Sequence, residues 1–468
     1  MDKAFNLINE NFLLKNSVSQ ELYHGIVKDL PLIDYHCHID PSSLQKDYRF
    51  SNIAELWVLN DPYKHRAMRI NGIPEEEITG HTDPKTKFRR WIETLNKCVG
   101  NPLFHWSYLE LKRFFDWKTY VSPGDWEGLW DYLDPKVKAS TTSSLLAPLR
   151  VEEIITSDTL RANLEVHKNV NEKNLGAYRI CPSLRGDEIL DIGQPRFLEF
   201  LHDLQQWYKE DIKDLSSFCW ALSYKLEEFH AAGCRIADHS LDNFTFLPVE
   251  EVETERLFQS VLKGIPLSEQ ETLALKSALL LKAVQLYSEK NWILSLHLGA
   301  VRYTSQRLRN LAGPAGGYAC IGDSISVPSL VRFLDTLERR GKLPRTILFP
   351  LNPADYPVIA TITGSFSEDR IAGKVQFGPA WWYNDHKWGI QLHLNILSTY
   401  SLLEHFIGMT TDSRSILSLT RHEYFRRIFC SFLGELVESG EIPQIDSLLE
   451  RICRSVCYEN AKNWIERR

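Results

Sequence analysis

Short apolar runs that end in polar side chains recur along the chain, separated by longer stretches with helical apolar spacing. The runs are LIDYHCH (32–38), VEEIITS (151–157), AYRICPS (177–183), GCRIADH (233–239), WILSLHL (292–298), RTILFPL (345–351), KVQFGPA (374–380) and HFIGMTTD (405–412). Helical patterns lie between most of them, as at Arg196–Trp207 and Leu273–Tyr287. Eight strands alternating with helices is the order of a (β/α)8 TIM-type barrel, an α/β fold.

One interval is out of proportion. Roughly 110 residues separate the first and second runs, and Ala54–Arg69, Lys85–Leu95 and Tyr108–Phe115 within them carry helix-like apolar spacing and many tryptophans. The pattern predicts an all-helical insertion after strand one, over 41–148, on the barrel face where loops cover a site. We read 1–468 as one barrel domain carrying that insertion, because α/β barrels grow large as single units.

Composition narrows the classes of partner. The chain is 468 residues long, 43% hydrophobic and 25% charged, with a formal net charge of −7 and no long run of one sign. That argues against a nucleic-acid or membrane-surface partner but leaves room for a small anion in a local cationic pocket. The start, MDKAFNLINENF, lacks the apolar stretch of a signal peptide, and no apolar run reaches the ~18 residues of a membrane span. Nine scattered cysteines then read as reduced cytoplasmic thiols.

The chemistry gathers at the ends of the runs. In LIDYHCHID the strand period of two puts His36 and His38 on one face and Cys37 on the other. Two imidazoles so placed can ligate one metal ion, or be polar residues where a strand meets a loop. Asp412 ends the eighth run, beside strand one once a barrel closes, and can complete a His-His-Asp set with open positions. Arg414 lies two residues on, able to reach a substrate or to steer Asp412. His297 ends strand five and points to the same rim. Asp238 and His239 end strand four, and one of them faces the barrel mouth. Arg185, in a short loop after strand three, is a candidate carboxylate clamp, since its planar fork matches two oxygens. Trp381 and Trp382 follow strand seven. Adjacent tryptophans send one into the core and leave the other for a sugar face or the insertion, with Trp381 the candidate for the sugar.

Longer motifs carry a resemblance. They are HCH at 36–38, LW…YK.RAMR.NG at 56–72, GNPLFHWSYLEL at 100–111, GCR..DH at 233–239, HLGA.R at 297–302, GPAWWYND at 378–385 and GMTTDSRS…TRHEYFRR at 408–427. With these the chain resembles the uronate isomerase (glucuronate isomerase) family of the amidohydrolase superfamily, nearly end to end. The resemblance implies a distorted barrel with one divalent metal, usually zinc, on His36, His38 and Asp412. It implies interconversion of D-glucuronate with D-fructuronate and of D-galacturonate with D-tagaturonate. It also implies active-site roles for Arg185, Arg414, His297 and Tyr63, the last of which draws no attention by itself.

Several loops depart from the family pattern: Pro62 where a histidine is usual, TSDTL at 156–160, PSLRGD at 182–187 and RYTS at 302–305. These leave the metal set intact and bear on substrate range. The expected reaction moves a proton between C2 and C1 through an enediol, with Tyr63, Asp412 and His297 as alternative bases and Arg185 on the C6 carboxylate. Two other readings stay open: a hydrolase of the same superfamily (lactonase or deaminase), and a catalytically weakened sugar-acid binder. Strand six offers no histidine and strand four no lysine, which argues for one ion rather than two. Homo-oligomerisation is expected on general grounds.

Overall fold

The computed structural model describes residues 7–172 and 178–466. Ala177, at the head of the third run, and residues 1–6 of the N-terminal reading lie outside these. Nine strands form: β1 Leu32–Cys37, β2 Val151–Thr159, β3 Arg179–Arg185, β4 Ile236–Leu241, β5 Ile293–Leu298, β6 Ala300–Val301, β7 Cys320–Ile321, β8 Thr346–Pro350 and β9 Val375–Phe377. Seven make one parallel sheet in the order β1-β2-β3-β4-β5-β8-β9, and β6 pairs antiparallel with β7 in a short excursion after β5. The fold is a distorted (β/α)8 TIM-type barrel. Its strands are buried on both faces, as β1, β5 and β8 show along their whole length, which is why they read as near-continuous apolar runs.

The distortion sits where an eighth strand was expected. Residues 405–412 run between β9 and β1 without strand geometry. Side chains there take the bonds that a ladder would use. The Gln376 amide of β9 donates to the His405 carbonyl and accepts from the Ile407 N–H. Asp34 of β1 accepts from the Thr410 and Thr411 hydroxyls and the Thr411 N–H, at 2.6–2.8 Å. Two main-chain bonds remain on the β1 side, Asp412 N–H to the His36 carbonyl and His38 N–H to that of Ser413. These buried groups are paired largely by polar side chains that compete with the sheet.

Gly408 makes the turn into this segment with φ +87°, and a Cβ there would lie 2.2 Å from the Val456 carbonyl oxygen. Gly408→Ala is therefore expected to destabilise the fold by about 2 kcal/mol or more. Denaturant unfolding checks this, and an unchanged midpoint would remove the strain argument.

Between β1 and β2 the chain is helical as expected, with differences in detail. Ala54–Arg69 is two helices, Ile53–Trp57 and Pro62–Ile70. They break because Asp61 caps the second, accepting from the Tyr63 and Lys64 N–H groups, and Pro62 fits its first turn. Helices Pro84–Leu95 and Pro102–Phe115 cover the other two segments, and Trp126–Ala139 is one that the apolar spacing did not single out. Trp57, Phe88, Trp91 and Trp106 are buried among them. Each such apolar side chain contributes about 1.5–3 kcal/mol by leaving water. The barrel helices Pro195–Tyr208 and Glu269–Glu289 extend the predicted ranges by a few residues. Among the described residues no helix is long and apolar enough to cross a membrane.

Candidate metal centre and substrate cavity

His36 and His38 share one side of the end of β1, and Cys37 is buried on the other. The Nε2 atoms of the two imidazoles lie 3.6 and 3.1 Å from Asp412 Oδ1. Asp412 reaches them from a left-handed backbone conformation, φ +51°, held by its bond to the His36 carbonyl. For an aspartate that conformation is uncommon and strained, and it aims the carboxylate across the seam of the barrel.

These three donors suit a divalent cation. An oxygen 3.1 and 3.6 Å from two nitrogens, with all three donors within 4.8 Å of one another, suits neighbouring ligands held ~2.0–2.2 Å from one centre. Burial pulls the His38 imidazole down to about 3, so it is neutral with a free lone pair at neutral pH. Burial opposes the charge on Asp412, but hydrogen bonding to His36 and His38 more than offsets this and holds it well below the usual carboxylate range. For His36, burial is outweighed by the Asp412 and Asp238 carboxylates and the net shift is upward, while its Nδ1 is buried without a hydrogen-bond partner among the described residues. One buried and two partly exposed donors, with an ionised carboxylate among them, form a set that a cation would stabilise.

A second group shares His36. Donor atoms of His36, Asp238 and His297 lie within 4.8 Å of one another. Strand four thus turns Asp238 to the mouth, where it accepts from the Ser183 hydroxyl at 2.6 Å. His239 faces away, buried, 3.2 Å from the Tyr287 hydroxyl. His297 is packed against His36, Phe349 and Trp381 with ring centroids 4.7 Å apart in each case. Burial and the nearby His36 hold it well below the ordinary histidine value, and its Nε2 has no hydrogen-bond partner among the described residues.

Of the residues singled out from sequence, His36, His38, Tyr63, Arg185, His297, Trp381, Asp412 and Arg414 line one cavity of about 830 Å³, and His239 does not. Arg185 donates from Nε to Asp187 at 2.9 Å, which leaves the two Nη ends of its fork for a ligand. Arg414 has no hydrogen-bond or ion-pair partner among the described residues, although most of its side chain is out of water. A half-buried guanidinium without a partner, on the cavity wall, is placed to meet an incoming anion. Trp381 is buried beside His297, and Trp382 and Tyr383 stack on each other further out along the wall.

Tyr63 enters from the insertion. Its hydroxyl is 3.5 Å from Asp385 Oδ2, and the Arg421 guanidinium lies 4.6 Å from its ring centre. Burial first, and then the charge of Asp385, raise its phenol well above 10. Four residues of the site escaped the sequence reading. Asp187 and Asp385 steer cavity residues, and Arg302 pairs with Asp242 on the wall. Arg421 sits behind Tyr63. Asp385, Arg302 and Arg421 lie inside the quoted motifs, which was the available signal, but nothing local says that they turn inward.

Known proteins give an independent comparison. A profile of the glucuronate isomerase family matches residues 4–465. The uronate isomerase of Geobacillus thermodenitrificans is 39% identical over 461 residues, covering 98% of this chain and 99% of the relative. That of Bacillus pumilus is 38% identical over 466 residues, covering 99% and 97%. Among solved structures, the uronate isomerase of Thermotoga maritima superposes with a TM-score of 0.92 at 30% identity over 98% of this chain and 99% of that one. The glucuronate isomerase of Caulobacter crescentus, at 21% identity over 98% and 97%, shares the fold with a TM-score of 0.89. With the sequence matched from end to end and the barrel superposed on a relative 30% identical to it, the chain belongs to the glucuronate isomerase family.

Proposed function

We propose that this chain is a metal-dependent aldose–ketose isomerase of hexuronates. It interconverts D-glucuronate with D-fructuronate and D-galacturonate with D-tagaturonate. The observation that carries the reading is the unpaired Arg414 beside a His-His-Asp seat, in a chain whose relatives over its full length are named uronate isomerases. The ion is zinc, held by His36, His38 and Asp412. When bound it would supply positive charge that stabilises a developing oxyanion without moving a proton.

The chain's own groups supply the rest. The Nη ends of Arg185 grip the C6 carboxylate, and Asp187 fixes their direction. Holding the sugar acid this way brings C1 and C2 to the Asp412 side of the cavity, and orientation alone is worth several kcal/mol, of order 10³-fold or more. Of the three candidate bases, Tyr63 keeps its proton and His297 resists becoming a cation. Asp412 is ionised, with both histidines close to its Oδ1. It removes the C2 proton and returns it at C1. Arg414 stabilises the oxygen on which charge develops, the C1 oxygen, and the Tyr63 phenol donates to that same oxygen. Trp381 walls off water on one face of the sugar.

Proton NMR of the zinc-loaded protein with each hexuronate tests the function. Ketose is expected from at least one. Sugar-acid binding without ketose in metal-replete protein overturns the reading in favour of a binder, and acid released from a lactone panel overturns it in favour of a hydrolase. In deuterated water, solvent deuterium should appear at the carbon that receives the proton. Complete retention of the substrate hydrogen would instead show a direct hydride shift.

The proposed partners are the small sugar acid and further copies of the same chain, with no nucleic acid. The proposed setting is the cytoplasm, in keeping with nine cysteines that are all free thiols.

A further inference from the structure

Behind Tyr63, away from the metal seat, lies a carboxylate that steers this phenol and has so far been given no proton to move. Asp385 follows the short turn Trp382–Asn384 after β9 and is 2% exposed. Its Oδ2 is 3.5 Å from the Tyr63 hydroxyl and accepts from Arg421 Nη1 at 3.1 Å. Arg421 is itself fixed. It donates to the Thr411 carbonyl, one residue before Asp412, and its guanidinium is clasped between the rings of Tyr63 and Trp106, at 4.6 and 4.1 Å. Tyr63 is fixed from the other side, because Asp61 caps the first turn of its helix. A phenol is thus held between the cavity and a buried carboxyl group, with a cation that cannot swing away.

We propose that Asp385 is a positioning residue that holds the Tyr63 hydroxyl toward the substrate and exchanges a proton with the substrate oxygen through it. The proposal rests on the isomerase reading above. As the C2–H bond breaks and charge grows on the C1 oxygen, the Tyr63 O–H bond breaks and an O–H bond forms on that oxygen. The Asp385 O–H bond breaks in turn and restores the phenol. When the enediol closes to the ketose, the C2 hydroxyl returns its proton to Tyr63, and Tyr63 returns one to Asp385. No electrons are exchanged, and the relay ends as it began.

A plain ion pair with Arg421 is the competing account, and the surroundings of Asp385 weigh against it. The groups facing it are Arg421 from the C-terminal helix Arg421–Glu438, Asp412 from the seam, Tyr63 from the insertion, and the Tyr356 and Tyr424 hydroxyls. Burial pushes its carboxyl up, Arg421 pulls it down and the charge of Asp412 pushes it up again, to about 7 in all. Such a group gives and takes a proton near neutral pH, which a fully ionised ion-pair partner does not.

The test uses the zinc-loaded full chain and the variants Asp385→Asn, Asp385→Glu and Tyr63→Phe. Asp385→Asn should keep the metal content and a KM within about threefold, lose roughly 10²-fold in kcat, and lose the inflection of kcat near neutral pH. Asp385→Glu should recover part of the rate. The Asp385→Asn/Tyr63→Phe double variant should be no worse than Tyr63→Phe alone, because the two act in series. Independently of turnover, the Tyr63 phenol carbon, labelled with ¹³C and assigned with Tyr63→Phe, should titrate with a midpoint near neutrality in the wild type and not in Asp385→Asn. An Asp385→Asn enzyme with kcat within threefold of wild type overturns the relay, as does a double variant whose losses multiply. Should the asparagine variant fail to fold, the wild-type NMR titration decides, and a phenol signal flat between pH 5 and 9 overturns it. A wild type that makes no ketose sinks the isomerase reading instead and leaves that titration to decide whether Tyr63 and Asp385 share a proton.

Discussion

Asp412→Asn is expected to strip the metal and to lower kcat/KM by roughly 10³-fold or more. Asparagine keeps the shape of the side chain and can still bond through the seam, so the barrel should hold. What it loses is charge. The seat then consists of imidazoles and a neutral amide, with nothing to offset a dication in a buried setting. The same change removes the group proposed to take the C2 proton. Metal analysis after dialysis, alongside kcat/KM on both hexuronates, checks the two consequences separately. A variant that keeps one ion per chain and loses activity would assign Asp412 to proton transfer rather than to metal binding. One that keeps both would remove Asp412 from the mechanism.

Arg414→Lys should cost about 10²-fold in kcat with little change in KM, whereas Arg185→Lys should act mainly by raising KM. The two arginines differ in what they face. Arg185 is already committed through Nε to Asp187 and acts on a carboxylate that is charged in the ground state. Arg414 has no partner among the described residues and meets charge that develops as the proton leaves. Lysine keeps the positive charge but not the planar fork, so a contact made by two parallel bonds becomes a single one. Losing a charge-assisted hydrogen bond of this sort costs ~1.5–3 kcal/mol, which is the factor expected. Steady-state kinetics separates the cases. An Arg414→Lys enzyme with altered KM and unchanged kcat would move Arg414 to ground-state binding.

Much of this was legible in the chain because it rests on local periodicity. β1, β5 and β8 are short apolar runs, and His36 and His38 fall on one face by the strand period alone. The break at Asp61 was written as a cap followed by proline, yet apolar spacing runs straight across it, so one helix was expected where two form. The seam at 405–412 misled for a related reason. Phe406, Ile407 and Met409 are buried as a strand's residues would be, but the main-chain partners are side chains far away in sequence, on Asp34 and Gln376. The choice between Asp238 and His239 depended on the register of β4 against β5, which a single strand does not reveal. Asp385 and Arg421 lay beyond reach for a deeper reason. They act through contacts across more than thirty residues, or more than three hundred to Tyr63, and nothing in their own neighbourhoods marks the direction in which they point.

The seam has a bearing on how the ion comes and goes. Elsewhere the wall is stitched by backbone to backbone, so its spacing is fixed whatever the side chains are. Over 405–411, leading up to Asp412, the spacing is set by one glutamine amide, one aspartate and two threonine hydroxyls, and backbone bonds return only at Asp412 and Ser413. The stave that carries the carboxylate ligand is thereby the one whose position single substitutions can adjust. Evolution could retune how tightly this centre grips its cation there without touching a ligand or disturbing the rest of the cylinder.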